Sequence, residues 1–280
     1  MNIPRYWAKE SYSMAGPDGK TVSAVCWHGS NVSVDDARQP ARARAQQIAW
    51  KILNQQQLDR YGYGERAMRE EITQAVTSAN NKELGLITRN GYGALVLNAV
   101  NAMFIDIDFK EEKSSGVLGK LFSKPGPTQE EQSVARVEQW ARRNPGLSVR
   151  IYRTFGGLRC LVTSDVFDPA HESTLAMLNA VASDPLYVRL CRAQGCFRAR
   201  LTPKPWRCGM SQPPSRYPWE NQPAEIRYRQ WEQDYQRAAE DYAVCKLVKE
   251  VGGGATHPEV APIVALHDQF TGPTRELDLA

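Results

Sequence analysis

Two aspartates in one short apolar segment are the residues best placed to do chemistry. Asp106 and Asp108 alternate with Ile105 and Ile107 within residues 103–109, a period-2 pattern that is typical of a strand. Because successive side chains of a strand point to opposite faces, we expect both carboxylates on one face. Carboxylate oxygens at this spacing suit Mg²⁺ or Mn²⁺, which bind phosphates with few protein ligands. The alternative is an exposed acidic pair on a one-sided sheet.

A glycine turn between two later predicted strands supplies further candidates. The turn contains Gly156 and Gly157, residues that suit the tight connection of a hairpin. Arg159 follows it and can point toward the acid pair, and Arg150 and Arg153 are alternative neighbours. A guanidinium at this place can neutralise the carboxylates or hold a nucleotide phosphate. The sequence leaves both roles open.

A basic and aromatic stretch is the third feature that could bind a ligand. Residues 185–219 include no Asp or Glu, and five aromatic residues are interleaved with their cations. Such a pattern can hold a phosphodiester chain and stack bases. The residues expected to bind substrate are Arg198, Arg200, Lys204 and Arg207 of this stretch, together with Arg150, Arg153, Gly156 and Gly157 of the preceding hairpin. The alternative is an arginine-rich loop whose charges are paired with acids elsewhere in the fold.

The cysteines offer a separate metal hypothesis. Cys191, Cys196 and Cys208 could supply three thiolates to a structural zinc ion, with Cys245 or a histidine as the fourth ligand. Strong zinc motifs have two tight cysteine pairs, and this sequence has one loose pair. Ordinary buried thiols are the alternative interpretation.

Composition limits the class of protein. The 280 residues are 42% hydrophobic and 24% charged, with a net charge of +4, which excludes global disorder and a disulfide-dense mini-protein. The apolar runs are far shorter than the roughly 18–20 residues of a membrane span. Residues 1–7 lack a signal-peptide pattern, and six cysteines without such a signal suggest a reducing compartment. We therefore expect a cytoplasmic protein with no membrane partner.

Hydrophobic periodicity predicts the elements that position these residues. Helices are expected at residues 33–58, 66–76, 130–143, 169–182, 184–192, 224–251 and 257–270, and strands at 84–89, 94–100, 103–109, 147–154, 158–163 and 197–202. From residue 103 onward the order is β-α-β-β-α-β, the split ferredoxin-like arrangement. In that arrangement the acid-bearing strand and the strand of Arg159 are central neighbours. Residues 110–130, which are charged and rich in Gly, Ser and Pro, are predicted to form a mobile loop.

These elements predict an α+β protein in three parts. Residues 1–101 form an N-terminal α/β extension, and residues 102–207 form a ferredoxin-like or RRM-like βαββαβ core with an antiparallel sheet and helices on one face. Residues 208–280 comprise a Pro- and Trp-rich segment and C-terminal helices. The predicted helix 224–251 offers a surface for a protein partner.

The predicted core resembles the archaeo-eukaryotic primase-polymerase superfamily. It shares with that family an apolar strand with an acid-x-acid pair, a glycine turn and a basic strand. The resemblance implies that Asp106 and Asp108 bind a divalent metal and that the residue at Arg159 contacts the incoming nucleotide. Two positions depart from the family pattern. Arg159 stands where the family has a histidine, and the third acid is missing from the last strand, so that Asp165 or Asp168 would have to substitute.

The sequence therefore predicts a nucleotidyl or phosphoryl transferase that depends on Mg²⁺ or Mn²⁺. Asp106, Asp108 and Arg159 are its expected catalytic residues, and a nucleotide or nucleic acid is its expected partner. Phosphoryl transfer depends mostly on positioning and charge neutralisation, so such a site needs few other groups. The alternatives on the same fold are a non-catalytic nucleic-acid-binding protein and a protein-interaction protein.

Overall fold

The computed structural model describes residues 1–17, 19–58, 67–110 and 126–280. In chain order the strands and helices are β1 (Tyr6–Ala15), β2 (Thr21–Ser30), α1 (Val34–Leu53), β3 (Glu71–Thr77), β4 (Glu83–Arg89), β5 (Leu95–Ala99), β6 (Phe104–Asp108), α2 (Gln129–Arg143), β7 (Val149–Thr154), β8 (Gly157–Val162), α3 (Glu172–Ala180), α4 (Pro185–Gln194), β9 (Phe197–Arg200), α5 (Gln222–Ala239), β10 (Tyr242–Ala243), β11 (Cys245–Val251), α6 (Ala261–Thr271) and β12 (Asp278–Leu279). A single 3-10 turn, Pro205–Arg207, follows β9. The chain is thus a mixed α+β protein, as predicted.

Two antiparallel four-stranded sheets form the body of the protein. One has the strand order β11-β7-β8-β6, and the other has the order β3-β4-β5-β9. The remaining strands form the antiparallel hairpin β1-β2 and a short parallel pair, β10 and β12. Both large sheets contribute to one hydrophobic core.

The acid-bearing strand forms as its alternation predicts. Ile105 and Ile107 are buried in the core, which also includes Val137 and Trp140 of α2. The opposite face of β6 is left for Asp106 and Asp108, because side chains alternate along a strand. The apolar alternation of β6 thus separates a packed face from a face that bears the carboxylates.

Local signals explain the hairpin that joins β4 to β5. The side-chain oxygen of Asn90 accepts hydrogen bonds from the backbone N–H groups of Tyr92 and Ala94. Gly93 adopts a φ of 92°, a conformation that glycine reaches without a steric penalty. The predicted hairpin between these two strands is therefore confirmed.

The last strand of the predicted ferredoxin-like core is paired differently from the expectation. β6 and β8 are neighbours, as predicted, but β9 forms hydrogen bonds with β5 of the second sheet. β6 is therefore the last strand of its sheet and not a central one. The four-stranded ferredoxin-like order is not confirmed, since the fourth position of that sheet belongs to β11, which pairs with β7.

The C-terminal part differs most from the sequence prediction. The helix expected at 224–251 ends at Ala239, and Cys245–Val251 is a strand on the edge of the first sheet. This segment contains Lys246, Lys249 and Glu250, and its charged residues follow those of α5 without a clear break in composition. The helix that was expected to offer a surface to a protein partner is therefore shorter than predicted.

Three other predictions need correction or fall outside the described residues. The helix expected at 66–76 is wrong, because Glu71–Thr77 is strand β3 and the residues just before it are irregular. The first helix ends at Leu53 and not at residue 58. The predicted loop 110–130 lies largely outside the described residues. Strand pairing also crosses the predicted domain limits, since β5 pairs with β9 and β11 pairs with β7.

Among the described residues, none of the helices has the length and apolar character that crossing a bilayer requires.

Gly157 provides a test of how closely β6 and the β7-β8 turn approach each other. A Cβ atom at Gly157 would lie 1.9 Å from the carbonyl oxygen of Ile107, whereas one at Gly156 would meet no atom within 4 Å. We expect Gly157→Ala to lower the free energy of unfolding by about 2 kcal/mol or more, as overpacking does. Chemical denaturation measures this loss. Gly156→Ala is the matched control, and equal stability of the two variants would contradict the close approach.

Candidate functional site

A cavity of about 480 Å³ is lined by residues of both four-stranded sheets. The charged side chains that line it and were predicted as site residues are Asp106, Asp108, Arg159, Arg198, Arg200, Lys204 and Arg207. Gly156 and Tyr92 border the same space, so both hairpin turns take part in it. The structure therefore brings together the acid pair, the arginine of β8 and the basic segment, which are far apart in sequence.

The two carboxylates line this cavity without an ion-pair or side-chain hydrogen-bond partner in the part of the chain that the structure describes. Neither Asp106 nor Asp108 forms an ion pair or a side-chain hydrogen bond with another described residue. The pKa of Asp106 is raised to about 6, and burial is the main cause; Arg159 and Arg200 act in the opposite direction, whereas the negative charges of Asp108 and Asp184 add to the increase. Burial and Asp184 also raise the pKa of Asp108. Two acids held together in this way favour the approach of a cation.

Three cations of the basic stretch line the same cavity, and none of them forms an ion pair with an acid of the described segments. Arg200, Lys204 and Arg207 form no ion pair with any described residue. The pKa of Arg200 is lowered to about 10, chiefly by burial and then by the positive charges of Arg159 and Arg207. Burial, followed by neighbouring cations, likewise lowers the pKa of Lys204. Positive charge that is partly buried and not neutralised is an arrangement that binds anions such as phosphate.

Arg159 is held by its surroundings and not by the acid pair. It lies opposite Asp106 in the β6-β8 ladder, but its Nη1 donates to the carbonyl oxygen of Arg200 at 2.8 Å. The same nitrogen lies 3.3 Å from Nε2 of His267, a fully buried residue of α6. The expected alternative, in which this guanidinium neutralises the carboxylates directly, is therefore not what the contacts show.

A buried hydrogen-bond network continues behind Arg159. Nδ1 of His267 lies 2.9 Å from a carboxylate oxygen of Asp268, which also accepts a 2.9 Å hydrogen bond from the hydroxyl of Tyr152. Nη1 of Arg150 donates to the other carboxylate oxygen at 2.5 Å. With Nδ1–H donated to Asp268, Nε2 of His267 is free to accept from Arg159. Sequence reasoning missed this histidine because it belongs to no recognisable motif.

Three arginines predicted to bind substrate are instead paired with acids. Arg150 contacts Asp268 and Glu250, Arg153 contacts Glu130, and Arg198 contacts Glu70. The Arg198–Glu70 pair is buried and also reaches Asn98. A buried pair of this kind holds the fold together, because removing one member leaves an uncompensated charge. The basic stretch thus divides: Arg198 is paired with Glu70, whereas Arg200, Lys204 and Arg207 form no ion pair with a described residue.

The two acids named as substitutes for a missing third carboxylate are not at the site. Asp165 and Asp168 are exposed, do not line the cavity and accept hydrogen bonds from nearby backbone N–H groups. Asp184 is closer, since its backbone N–H donates to the carbonyl oxygen of Asp106 at 2.7 Å. Its carboxylate caps α4 by accepting from the N–H of Tyr187. The signal for Asp184 was its position before Pro185, which is typical of a helix N-cap.

The carboxylates at the cavity supply only some of the ligands that a divalent ion needs, so a bound phosphate would have to supply others. Among the described residues, no three His, Cys, Asp or Glu side chains converge as a metal site. Asp106 and Asp108 are two carboxylates beside a cavity, and Mg²⁺ commonly binds one or two carboxylates together with substrate phosphates and water. The pair therefore offers two of the oxygen ligands that Mg²⁺ or Mn²⁺ commonly takes from a protein.

The cysteines predicted for zinc do not form such a site. Cys191, Cys196 and Cys208 are buried and free, and they are not part of any metal-binding cluster in the described segments. Burial raises the pKa of Cys191 to about 12 and that of Cys196 to about 11. The protonated thiol is therefore favoured, whereas zinc binds the thiolate.

Comparison of the chain with protein-family models, with curated proteins and with solved structures finds no match. The resemblance to primase-polymerases thus remains a prediction that rests on the residues of the site.

The buried histidine predicts a pH dependence of stability. Burial lowers the pKa of His267 to about 4 from an unfolded value of 6.5, so the unfolded chain binds a proton in this range and the folded protein does not. Relative to His267→Gln, the wild type should therefore lose stability as the pH falls from 6.5 toward 4, by at most about 1.4 kcal/mol per pH unit.

Denaturation of both proteins at several pH values measures this difference. The same replacement at His28, which is exposed on β2, is the matched control. A stability difference between wild type and His267→Gln that stays constant over this range would contradict the buried neutral histidine.

Proposed function

We propose that the protein is a divalent metal-dependent nucleotidyl or phosphoryl transferase whose active site is this cavity. The observation that carries the proposal is the separation of its charges. Asp106 and Asp108 face the same space as Arg200, Lys204 and Arg207, and the two sets form no ion pairs with each other. A ligand that carries both a cation and a phosphate chain would complement both sets at once.

The roles of the protein groups follow from their positions. Asp106 and Asp108 would hold Mg²⁺ or Mn²⁺, which when bound neutralises charge on the phosphates. Arg200, Lys204 and Arg207 would neutralise the phosphate oxygens that face away from the carboxylates. Arg159 is oriented by Arg200 and His267 and not by the acids, so its remaining N–H groups can bind a phosphate without first breaking a salt bridge.

The element order gives this proposal further support. From β6 to β9 the chain has the succession expected of a ferredoxin-like core, with α3 and α4 in the second helical position. We propose that this segment derives from such a core, with β9 joined to β5 and β11 added beside β7.

All six cysteines are free, which supports the proposal that the protein works in the reducing cytoplasm.

A non-catalytic nucleotide-binding or nucleic-acid-binding protein is the second candidate. It is favoured by the number of carboxylates, because Asp165 and Asp168 are absent from the cavity and Asp184 caps α4. Incubation with nucleoside triphosphates, Mn²⁺ and primed or unprimed templates separates the two candidates. Incorporation, or release of phosphate or pyrophosphate, supports the transferase. Metal-dependent binding without any of these products supports the second candidate.

Replacement of the acid pair tests the metal site. We expect Asp106→Asn with Asp108→Asn to abolish the Mn²⁺-dependent part of nucleoside triphosphate binding, a loss of about tenfold or more in affinity, because two carboxylate ligands are removed. Calorimetric titration with and without Mn²⁺ measures it. The matched control is Asp165→Asn with Asp168→Asn, which removes the same charge outside the cavity. Equal affinities of both double variants would refute the site.

Replacement of the unpaired cations tests phosphate binding separately. Lys204→Met with Arg207→Gln should weaken the binding of inorganic tripolyphosphate by about tenfold or more, since charge-assisted hydrogen bonds to an anion are lost. Arg192→Gln removes an exposed charge of the same basic stretch and is the control. Titration at several salt concentrations should show a shallower salt dependence for the double variant than for the control.

A further inference from the structure

Exposed aromatic rings lie beside the charged cavity, and the transferase chemistry does not explain them. Trp206 is 51% exposed and Phe155 is 53% exposed, although burial of such rings normally contributes to stability. Trp206 belongs to the 3-10 turn Pro205–Arg207, between two cavity cations, and Phe155 follows β7 in the turn next to Gly156. Both rings are therefore placed by the segments that form the site.

Trp206 packs against two residues that line the cavity. The ring of Tyr92, a residue that lines the cavity, meets it edge to face with the centroids 5.3 Å apart and the planes at 61°. Nζ of Lys204 lies 5.6 Å from the centroid of the same indole. The ring is thus held in place while about half of the residue remains open to solvent. A fixed and exposed indole beside a phosphate-binding cation provides a surface on which a flat ring can stack.

Phe155 is covered differently. The guanidinium of Arg207 stacks over its ring, with the central carbon 4.0 Å from the centroid. One face of Phe155 is therefore occupied by a residue of the site itself. Trp206 instead contacts the ring of Tyr92 and the ammonium group of Lys204, and that ammonium group lies farther from its ring than the Arg207 guanidinium lies from Phe155. Trp206 is therefore the better platform for a stacked base.

We infer that the base of a bound nucleotide stacks on Trp206 while its phosphates occupy the cavity. This inference rests on the proposed function. It adds that the site should bind a nucleotide more tightly than a polyphosphate without a base. The connection is short, because Lys204 and Arg207, which flank Trp206, both line the cavity. A phosphate group on these cations brings the attached nucleoside close to the indole.

The distribution of cations around the cavity favours a mononucleotide over an extended nucleic-acid strand as the ligand. A strand needs a series of unpaired cations along its backbone. Arg150, Arg153 and Arg198, which could have continued the track, are paired with acids. Of the basic stretch, the cations that line the cavity and form no ion pair with a described residue are Arg200, Lys204 and Arg207. One phosphate chain with one base fits this group of cations.

The test compares two probes, adenosine triphosphate and inorganic tripolyphosphate, both with Mn²⁺. We expect Trp206→Leu to weaken the binding of adenosine triphosphate by about tenfold, since base–aromatic stacking is lost, and to leave tripolyphosphate affinity within about twofold. Trp206→Phe should restore most of the nucleotide affinity because it keeps an aromatic face. Trp50→Leu is the matched control, since Trp50 is 47% exposed on α1.

The remaining outcomes overturn the inference in distinguishable ways. Equal weakening of both probes would mean that Trp206 only positions Lys204, and no weakening of either would mean that the ring is not used. If the wild type bound tripolyphosphate as tightly as the nucleotide, the phosphate site would stand, but stacking of the base on Trp206 would be refuted. Wild-type protein that binds neither probe would end the proposed function and the inference with it. If Trp206→Leu weakened only the binding of a single-stranded oligonucleotide, the ring would bind a nucleic-acid strand and not a mononucleotide.

Discussion

The structure depends on charges of opposite sign that face one cavity and do not meet. At 4 Å, two such charges attract each other by about 4 kcal/mol near a protein surface, so contact between them would be favourable and would close the site. The scaffold prevents this by anchoring the cations elsewhere. Arg159 donates to the carbonyl oxygen of Arg200, and Arg200 donates to the carbonyl oxygen of Thr202. These guanidinium groups are therefore held on the backbone, and the carboxylates of β6 remain accessible.

The C-terminal helix gives this anchoring its rigidity. α6 contributes His267 and Asp268, which connect Arg159 to Tyr152 and Arg150 on the strands of the first sheet. Every member of this network is hydrogen-bonded, and a fully satisfied buried network restricts the conformations of its side chains. The last part of the chain thus acts on the site without lining the cavity. This also explains why a histidine distant from any motif matters for the orientation of the site arginine.

The second sheet supplies the basic strand together with its own counter-charges. Glu70 lies just before β3 and accepts hydrogen bonds from Arg198 of β9 and Thr88 of β4. Asn98 of β5 contacts both Arg198 and Thr88. A charge buried in this way needs a partner, since the cost of leaving it unpaired is several kcal/mol. The network around Arg198 therefore links β9, β5, β4 and the residue before β3, while Arg200, two residues further on, forms no ion pair with a described residue.

Local patterns in the sequence determined the elements of the site, and only the tertiary structure decided which charges are free. The alternation of residues 103–109 was enough to place both aspartates on one face, because strand periodicity is a local property. The pairing of β9 with β5, the strand at Cys245–Val251 and the position of His267 could not be predicted, since each depends on contacts between distant segments. The basic residues looked equivalent in sequence. Whether an arginine is paired or open depends on the acid that folding brings beside it, and that acid is set by long-range packing.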